Sequence, residues 1–352
     1  MKIRSVDLFC GVGGLTYGVR AAGIDVLAGY DIEERSRFAY ETNNPGTQFF
    51  HKDVKTIQKG EISALYPDDT DIRVLMGCAP CQPFSSYNRQ PASAPSKSSK
   101  MELLHYFGVQ VKDVLPDVVS MENVPNLAHE SIFAAFTSLL EELNYHIDWR
   151  IVNTADYGVP QSRRRLLLLA SRLGPISLRP PTHDETTYVT LRQRIGSLPK
   201  LGAGETDPRD NLHRARGLSE INLRRIRASR PGGTWKEWPT ELLPNAYRKA
   251  SGSTFTSVYG RLSWDKLSST ITTQFIGYGS GRFGHPDQDR ALSLREGAML
   301  QTFPQTYMFV PPEVGSAYHV QPIAVQIGNA VPPRLGEIIG TSITAHSNHA
   351  SE

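Results

Sequence analysis

Over the first 170 residues, short apolar runs alternate with longer helix-compatible stretches, and nothing else in the sequence constrains the fold as strongly. Buried strands joined by helices build an α/β domain around a parallel sheet. The strands expected are Ile3 to Phe9, Asp25 to Tyr30, Ile72 to Gly77, Asp117 to Met121 and Arg165 to Ser171. Between them, Leu15 to Ala22, Glu33 to Thr42, Met101 to Val114 and Ile132 to Leu143 read as helices. Past Pro180 the alternation fades into Pro, Gly, Arg, Thr and aromatic residues without a period, which marks a domain change. Gln321 to Ile343 is again apolar and helix-compatible, so this tail is expected to pack back on the first domain. Asn88 to Lys100, rich in Ser, Pro and Ala, carries too little apolar surface for a fixed conformation and reads as a mobile loop.

Composition narrows the function classes. The longest aliphatic run, Leu166 to Ala170, is far short of the ~20 residues that span a bilayer, so no membrane segment is expected. Met1 to Leu8 lacks the apolar core of an export signal and contains Asp7, which points to a cytoplasmic protein. Three cysteines, Cys10, Cys78 and Cys81, are too few and odd in number for a disulfide framework. Residues 150–230 hold 16 Lys and Arg against 7 Asp and Glu, whereas the rest of the chain holds 22 against 28. Arginine makes up nearly all of that excess, and its planar fork suits phosphates and guanine edges; a solvated face is the plainer alternative.

Asp7-Leu-Phe-Cys-Gly11-Val-Gly13-Gly14 follows a strand and opens a helix, which lets backbone approach a ligand at a helix amino end. Thr16 stands where a dinucleotide fingerprint has its third glycine, so a pyrophosphate fits less well than an adenosyl ligand with a small carboxylate. An ordinary strand-to-helix turn is the competing reading. Asp31 closes the second strand 20 residues past Gly11, where a carboxylate can accept ribose hydroxyls. Asp53 reads either as an acceptor for an adenine amino group or as a turn former.

Ile72 to Gly77 runs into Cys78-Ala-Pro80-Cys81-Gln-Pro83, whose two prolines hold Cys81 on a stiff bend past a strand's carboxyl end. Open α/β sheets bind ligands at that edge. The cysteines could form half a zinc site or a redox pair, or Cys81 could act alone as a nucleophile. No second Cys-x-x-Cys or spaced His pair completes a zinc site, so no metal is expected. A redox pair would normally begin a helix, and exchanging Cys78 for Ser would disable it; an inert buried thiol is the plain reading of Cys78. Glu122-Asn123-Val124 reaches the same edge, where apolar walls would hold a carboxyl partly protonated as a donor, unless it serves as a helix cap. In Gln161-Ser-Arg163-Arg164-Arg165, strand alternation puts Arg163 and Arg165 on one face. A solvated basic turn competes with a site for an anionic or polar ligand.

Together and in this order, the segments resemble the 5-methylcytosine DNA methyltransferases. The glycine loop is similar to the family's S-adenosylmethionine motif, with Asp7, Gly11, Gly13 and Gly14 in it and Phe9 in place of the ring that stacks on adenine. Asp31 and Asp53 fall where the family contacts ribose and adenine. Pro80-Cys81-Gln82 looks like the nucleophile motif, Glu122-Asn123-Val124 like the motif that grips cytosine, and Gln161-x-Arg163-x-Arg165 like the arginine motif. Arg295-Glu296 with Leu300-Gln301-x-Phe303-Pro304, and Gln326-Ile-Gly328-Asn329-Ala-Val331-Pro332, resemble the two late motifs, Asn329 falling among the cofactor-side residues. Departures are Asp31, where the family often has Glu, and Cys10 and Cys78, where it often has other residues.

The resemblance implies a Rossmann-like S-adenosylmethionine domain from residues 1–181 and 318–352, and a smaller target-recognition domain at 182–317. Trp235, Trp238, Tyr247, Tyr259 and Trp264, between Thr182 and Pro286, would suit phosphate and base contacts. It implies Cys81 adding to carbon 6 of a flipped cytosine in double-stranded DNA, with Glu122, Arg163 and Arg165 around the ring. A monomer is expected, with a restriction endonuclease acting separately. An RNA methyltransferase would carry a Cys-Phe-Thr segment, which is absent past Pro180; a noncatalytic relative would be expected to lose Cys81 or Glu122. An amino-methyltransferase would carry an Asn/Asp-Pro-Pro-aromatic turn in place of Ala79-Pro-Cys-Gln.

Overall fold

The computed structural model describes residues 1–80, 95–248 and 258–350, with backbone alone at 95–101 and 350. The chain divides into two compact units, one of residues 1–157, 164–182 and 331–352, the other of 158–163 and 183–330. The first is built on β1 (Ile3–Leu8), β2 (Asp25–Asp31), β3 (Gln48–His51), β4 (Ile72–Gly77), β5 (Val118–Asn123) and β6 (His146–Asn153). After the two-residue β7 (Gln161–Ser162), which belongs to the second unit, β8 (Arg164–Ser171) completes a seven-stranded sheet in the order β3-β2-β1-β4-β5-β8-β6. All five expected strands are present; β3 and β6 are additional, at the sheet's two edges, where neither forms the continuous apolar run of a strand buried on both faces.

The pairings from β3 through β5 are parallel, but β8 runs antiparallel to both β5 and β6, which corrects the expectation of a parallel sheet. The link from Asn153 to Arg164 is too short for the crossover a parallel neighbour requires, so the chain turns straight back. This reversal brings the amino end of β8 to the carboxyl end of β5, with Glu122 opposite Leu167 and Asn123 opposite Leu166. Were β8 parallel, its arginines would lie at the opposite edge.

Four helices connect the strands: α1 (Gly14–Ala21), α2 (Arg37–Asn43), α3 (Pro95–Val114) and α4 (Ser131–Glu142). The third starts at Pro95, inside the segment expected to be a loop, because proline at a helix's first turn forfeits no hydrogen bond. The rest of that segment lies outside the described residues, as do Cys81 and Pro83. Side chains alternate across the sheet. Val6, Leu75, Val119, Met121, Leu166 and Leu168 pack with Phe107, Phe136 and Leu140 of α3 and α4; Ile3, Val74, Met76 and Leu167 form the other core.

In the second unit, α5 (Leu191–Ile195), the ribbon β9 (Thr206–Asp207) and β10 (Asp210–Arg214), α6 (Glu220–Arg227), β11 (Ser268–Ser269), α7 (Leu294–Leu300) and α8 (Val320–Asn329) are held largely by polar anchors. Arg261 donates to the carbonyls of Ile226, Ser229, His285 and Gln288, and Arg290 forms a fully buried two-bond pair with Glu296. Ser293 and Glu296 form a capping box at the start of α7. Trp235 and Trp238 are buried with Ile226 and Tyr278, and Tyr247 and Tyr259 pack against them. These aromatics, expected to face nucleic acid, form this unit's core instead, because burying such large apolar surfaces outweighs leaving them for a ligand.

The tail from residue 331 returns to the first unit as α9 (Pro333–Ala350). It crosses α1 at backbone contact: a Cβ on Gly18 would lie 2.0 Å from the Pro333 carbonyl oxygen. Residues 318–330, assigned above to the same tail, fall in the second unit, where Gln301 donates to the Ile327 and Ala330 carbonyls at the end of α8. No helix among the described residues is long and apolar enough to cross a membrane.

Candidate active site

Two clusters occupy the carboxyl edge of the first unit's sheet. The first is the turn from β1 into α1. Phe9 takes a φ of 61°, Gly11 51° and Gly13 82°, and Gly13 caps α1 with no side chain bonded to the helix end. The first amides of such a helix have no partners within it and carry the positive end of its dipole, a fit for a carboxylate. A Cβ on Gly11 would meet nothing within 4 Å, so the loop borders open space there. The half-buried Phe9 packs on the core, and Gly14 is buried in the first turn of α1.

Asp31 ends β2 half-buried, its Oδ2 accepting from the Gly11 amide at 2.8 Å and its Oδ1 from the Glu33 amide at 2.8 Å. Burial pushes its carboxyl above the ordinary range, while the amides pull it back. Each oxygen retains a lone pair, and the arrangement fits an adenosyl group's ribose hydroxyls. Asp53 accepts from the Lys55 amide and starts a short turn, its turn-forming role. Asp7 is not at the surface: its Oδ2 accepts from the Thr16 hydroxyl at 2.7 Å, and its Oδ1 is buried without a hydrogen-bond partner among the described residues. Thr16, read above only as a missing glycine, therefore ties α1 to β1. Cys10 is buried, which pushes its thiol up and leaves it a poor nucleophile.

The second cluster surrounds Glu122, which is only 3% exposed. Arg165 Nε lies 2.7 Å from Glu122 Oε1, an ion pair whose geometry leaves Oε1 without an aligned hydrogen bond. On the other side the Cys78 thiol donates to Glu122 Oε2 at 2.8 Å. The expected apolar walls are thus a cation and a thiol. The neighbouring Asn123 donates from Nδ2 to the Ala79 carbonyl at 3.0 Å while its Oδ1 accepts from the Val124 amide, pinning the segment that leads to Cys81. Arg165 also donates to the Arg164 carbonyl.

The expected alternation holds along Gln161 to Arg165: Gln161 and Arg163 are buried and Arg165 half-buried, while Ser162 and Arg164 are exposed. Arg163 belongs to the second unit and donates to the Ile271 carbonyl, and Asn329, also of that unit, is exposed at the end of α8. Sequence reasoning missed Gln161 as an anchor. Its amide donates to Gln301 and the Leu300 carbonyl, and its oxygen accepts from the Ile271 amide. Only its pairing with Gln301 across 140 residues could have shown this.

Residues 3–345 match the family of C-5 cytosine-specific DNA methylases. The chain is 46% identical over 341 residues to a type II methylase, M.HgiDII, of Herpetosiphon aurantiacus, covering 96% of this chain and 94% of that one. It is 31% identical over 350 residues to the type II methyltransferase M1.HphI of Haemophilus parahaemolyticus, covering 97% and 87%. Among solved structures, a DNA modification methyltransferase encoded within an Escherichia coli prophage has a TM-score of 0.74 at 22% identity, covering 99% of this chain and 100% of that chain.

Proposed function

The chain belongs to the C-5 cytosine-specific DNA methylases, S-adenosylmethionine-dependent enzymes that methylate carbon 5 of cytosine in DNA, and we propose how its own residues carry out that reaction. The observation that carries the proposal is the buried Glu122 carboxyl, held between Arg165 and Cys78 at the edge that leads into Cys81.

Carbon 5 of cytosine is too electron-poor to take a methyl group unaided. Cys81, as thiolate, adds to carbon 6, and the displaced electron pair moves to carbon 5 and toward the ring nitrogen. Glu122 hydrogen-bonds N3 and the exocyclic amine, stabilising the charge that develops on the ring, and Arg165 holds the ring's O2. Once that electron pair has taken up the methyl group at carbon 5, loss of the carbon-5 proton re-forms the double bond and expels the Cys81 thiolate. A duplex buries these atoms in its base stack, so the target base leaves the helix first. S-adenosylmethionine, when bound, supplies the sulfonium methyl. The uncapped start of α1 with Gly11, Gly13 and Gly14 would hold its carboxylate end, Asp31 its ribose, and Phe9 and Asp53 its adenine. Asp7 supports the loop from beneath through Thr16.

The substrate is double-stranded DNA, and the second unit reads its sequence. Support comes from Lys200, Arg216 and Arg224, all exposed and without an ion-pair partner among the described residues, which suits phosphate contacts. Many other arginines of the basic stretch are spent internally, among them Arg192 on Asp265, Arg194 on two carbonyls and Arg230 on Glu237. Like its type II relatives, the enzyme serves a restriction-modification system, and on the sequence reading it acts as a cytoplasmic monomer at sites which a separate restriction endonuclease would cut. Bisulfite sequencing of DNA from cells expressing the chain tests this: protected cytosines at one recurring sequence, absent with Cys81→Ser, are expected. Protection scattered without a common sequence would contradict site-specific methylation.

A further inference from the structure

We infer that Cys78 is a positioning residue for Glu122, its thiol fixing the rotation of the carboxyl that meets cytosine; this rests on the role proposed for Glu122. The contact follows from sheet register. Gly77 of β4 pairs with Met121 of β5, so the next residue on each strand, Cys78 and Glu122, leaves the edge side by side. The thiol lies 2.8 Å from Glu122 Oε2, whereas Arg165 approaches Oε1 without forming an aligned hydrogen bond. Among the described residues, the thiol is thus the aligned donor to this side chain.

A carboxyl's terminal torsion is broad and two-fold, so an ion pair alone leaves its plane free to rock. A donor on Oε2 stops that motion and, with Arg165 Nε 2.7 Å from Oε1, holds the carboxyl in the plane in which it meets the base. Alanine or glycine at position 78 would keep the strand end but donate nothing. Serine would restore a donor. Cys78 takes no part in bond making: it acts through Glu122, not on the ring.

The test uses the full chain, S-adenosylmethionine and a duplex carrying the site mapped by bisulfite sequencing. Turnover and KM for DNA are measured for the wild type, Cys78→Ala, Cys78→Ser, Glu122→Gln and the Cys78→Ala/Glu122→Gln pair. One hydrogen bond to a charged group sets the expected scale: Cys78→Ala lowers kcat about tenfold with KM within about twofold, and Cys78→Ser recovers most of the loss. With Glu122 replaced, Cys78→Ala should cost nothing further, since a residue acting through another shows no separate effect once that other is gone. Wild-type kcat in Cys78→Ala, or a loss that multiplies with that of Glu122→Gln, overturns the inference while leaving the role of Glu122 standing. Full turnover by Glu122→Gln alone overturns the underlying role itself. Should Cys78→Ala fail to fold, Cys78→Val replaces it, filling the volume without a donor, and equal turnover by the Val and Ser variants overturns the inference.

Discussion

Replacing Asp7 with Asn should remove a pH dependence from folding stability. Asp7 is 1% exposed, and among the described residues only one of its oxygens has a partner, the Thr16 hydroxyl at 2.7 Å. Burial, opposed by that hydroxyl and reinforced by the charge of Asp31, pushes the Asp7 carboxyl up to about 7. The folded protein therefore holds this proton more tightly than the unfolded chain, where the value is ~3.9. The stability it contributes is fully present below that unfolded value and is lost as pH rises through about 7. Across the interval from pH ~6 to ~8.5 the loss integrates to about 1.4 kcal/mol. Asn keeps an oxygen for Thr16 and does not titrate, so Asp7→Asn should gain about that much relative to the wild type over the same interval. Urea denaturation of both proteins at the two pH values, followed by circular dichroism, reads the difference directly. A gap between the two proteins that stays constant with pH would refute the reasoning, because it would mean Asp7 does not change its protonation there.

Gly18→Ala would put a methyl group 2.0 Å from the Pro333 oxygen and 2.6 Å from the Glu337 nitrogen, both backbone atoms that cannot step aside. Prying α1 from α9 should cost at least ~1–3 kcal/mol, read as a lowered Tm, with weaker S-adenosylmethionine binding because the glycine loop rides on α1; an unchanged Tm would contradict it. Arg165→Ala strands a buried carboxylate, which typically costs ~3–5 kcal/mol, and Arg165, 14% exposed in its side chain, should fall toward the low end. Turnover should fall steeply in that variant and recover only in part with Lys, which lacks the planar fork; wild-type stability and turnover in the Ala variant would contradict the pairing. Exchanging Thr182 to Pro286 for the matching segment of a relative of known specificity should move methylation to that relative's site, as bisulfite sequencing would show. A folded, active chimera still modifying the original site would place recognition elsewhere.

The sheet was legible wherever strands are buried on both faces, because Val118–Asn123 and Arg164–Ser171 announce themselves as apolar runs. Edge strands were passed over: β6 alternates polar and apolar residues from His146 to Ile151, the period of a half-buried strand, but only Val152 in it is buried, so it forms no continuous apolar run. Direction was illegible too, since an apolar run reads the same whichever way it points; only the short link after Asn153 hints at the reversal. Glu122 and Arg165 could each be picked out from position, but not their ion pair, which depends on β8 running backwards. Cys78 read as inert because its partner is 44 residues away. In the second unit, periodicity gave out altogether. Its buried side chains are held by arginine-to-carbonyl anchors such as Arg261, and an arginine bound internally looks, in sequence, like one awaiting a phosphate.

The covalent step is the central claim, and trapping it is the most direct measurement. A duplex with 5-fluorocytosine at the mapped position cannot lose fluorine as it would a proton, so the Cys81 bond should persist once a methyl group has been transferred. Incubated with S-adenosylmethionine, the wild type should give a complex that survives denaturation, with the combined mass of chain, methylated duplex strand and no cofactor, and with peptide mapping locating the link at Cys81. Cys81→Ser should still bind the duplex yet give no such complex, an alcohol being far less ionised than a thiol of pKa ~8.5. A wild-type enzyme that methylates the ordinary duplex but forms no denaturant-stable complex on the fluorinated one, or a Ser variant that turns over normally, would contradict the account.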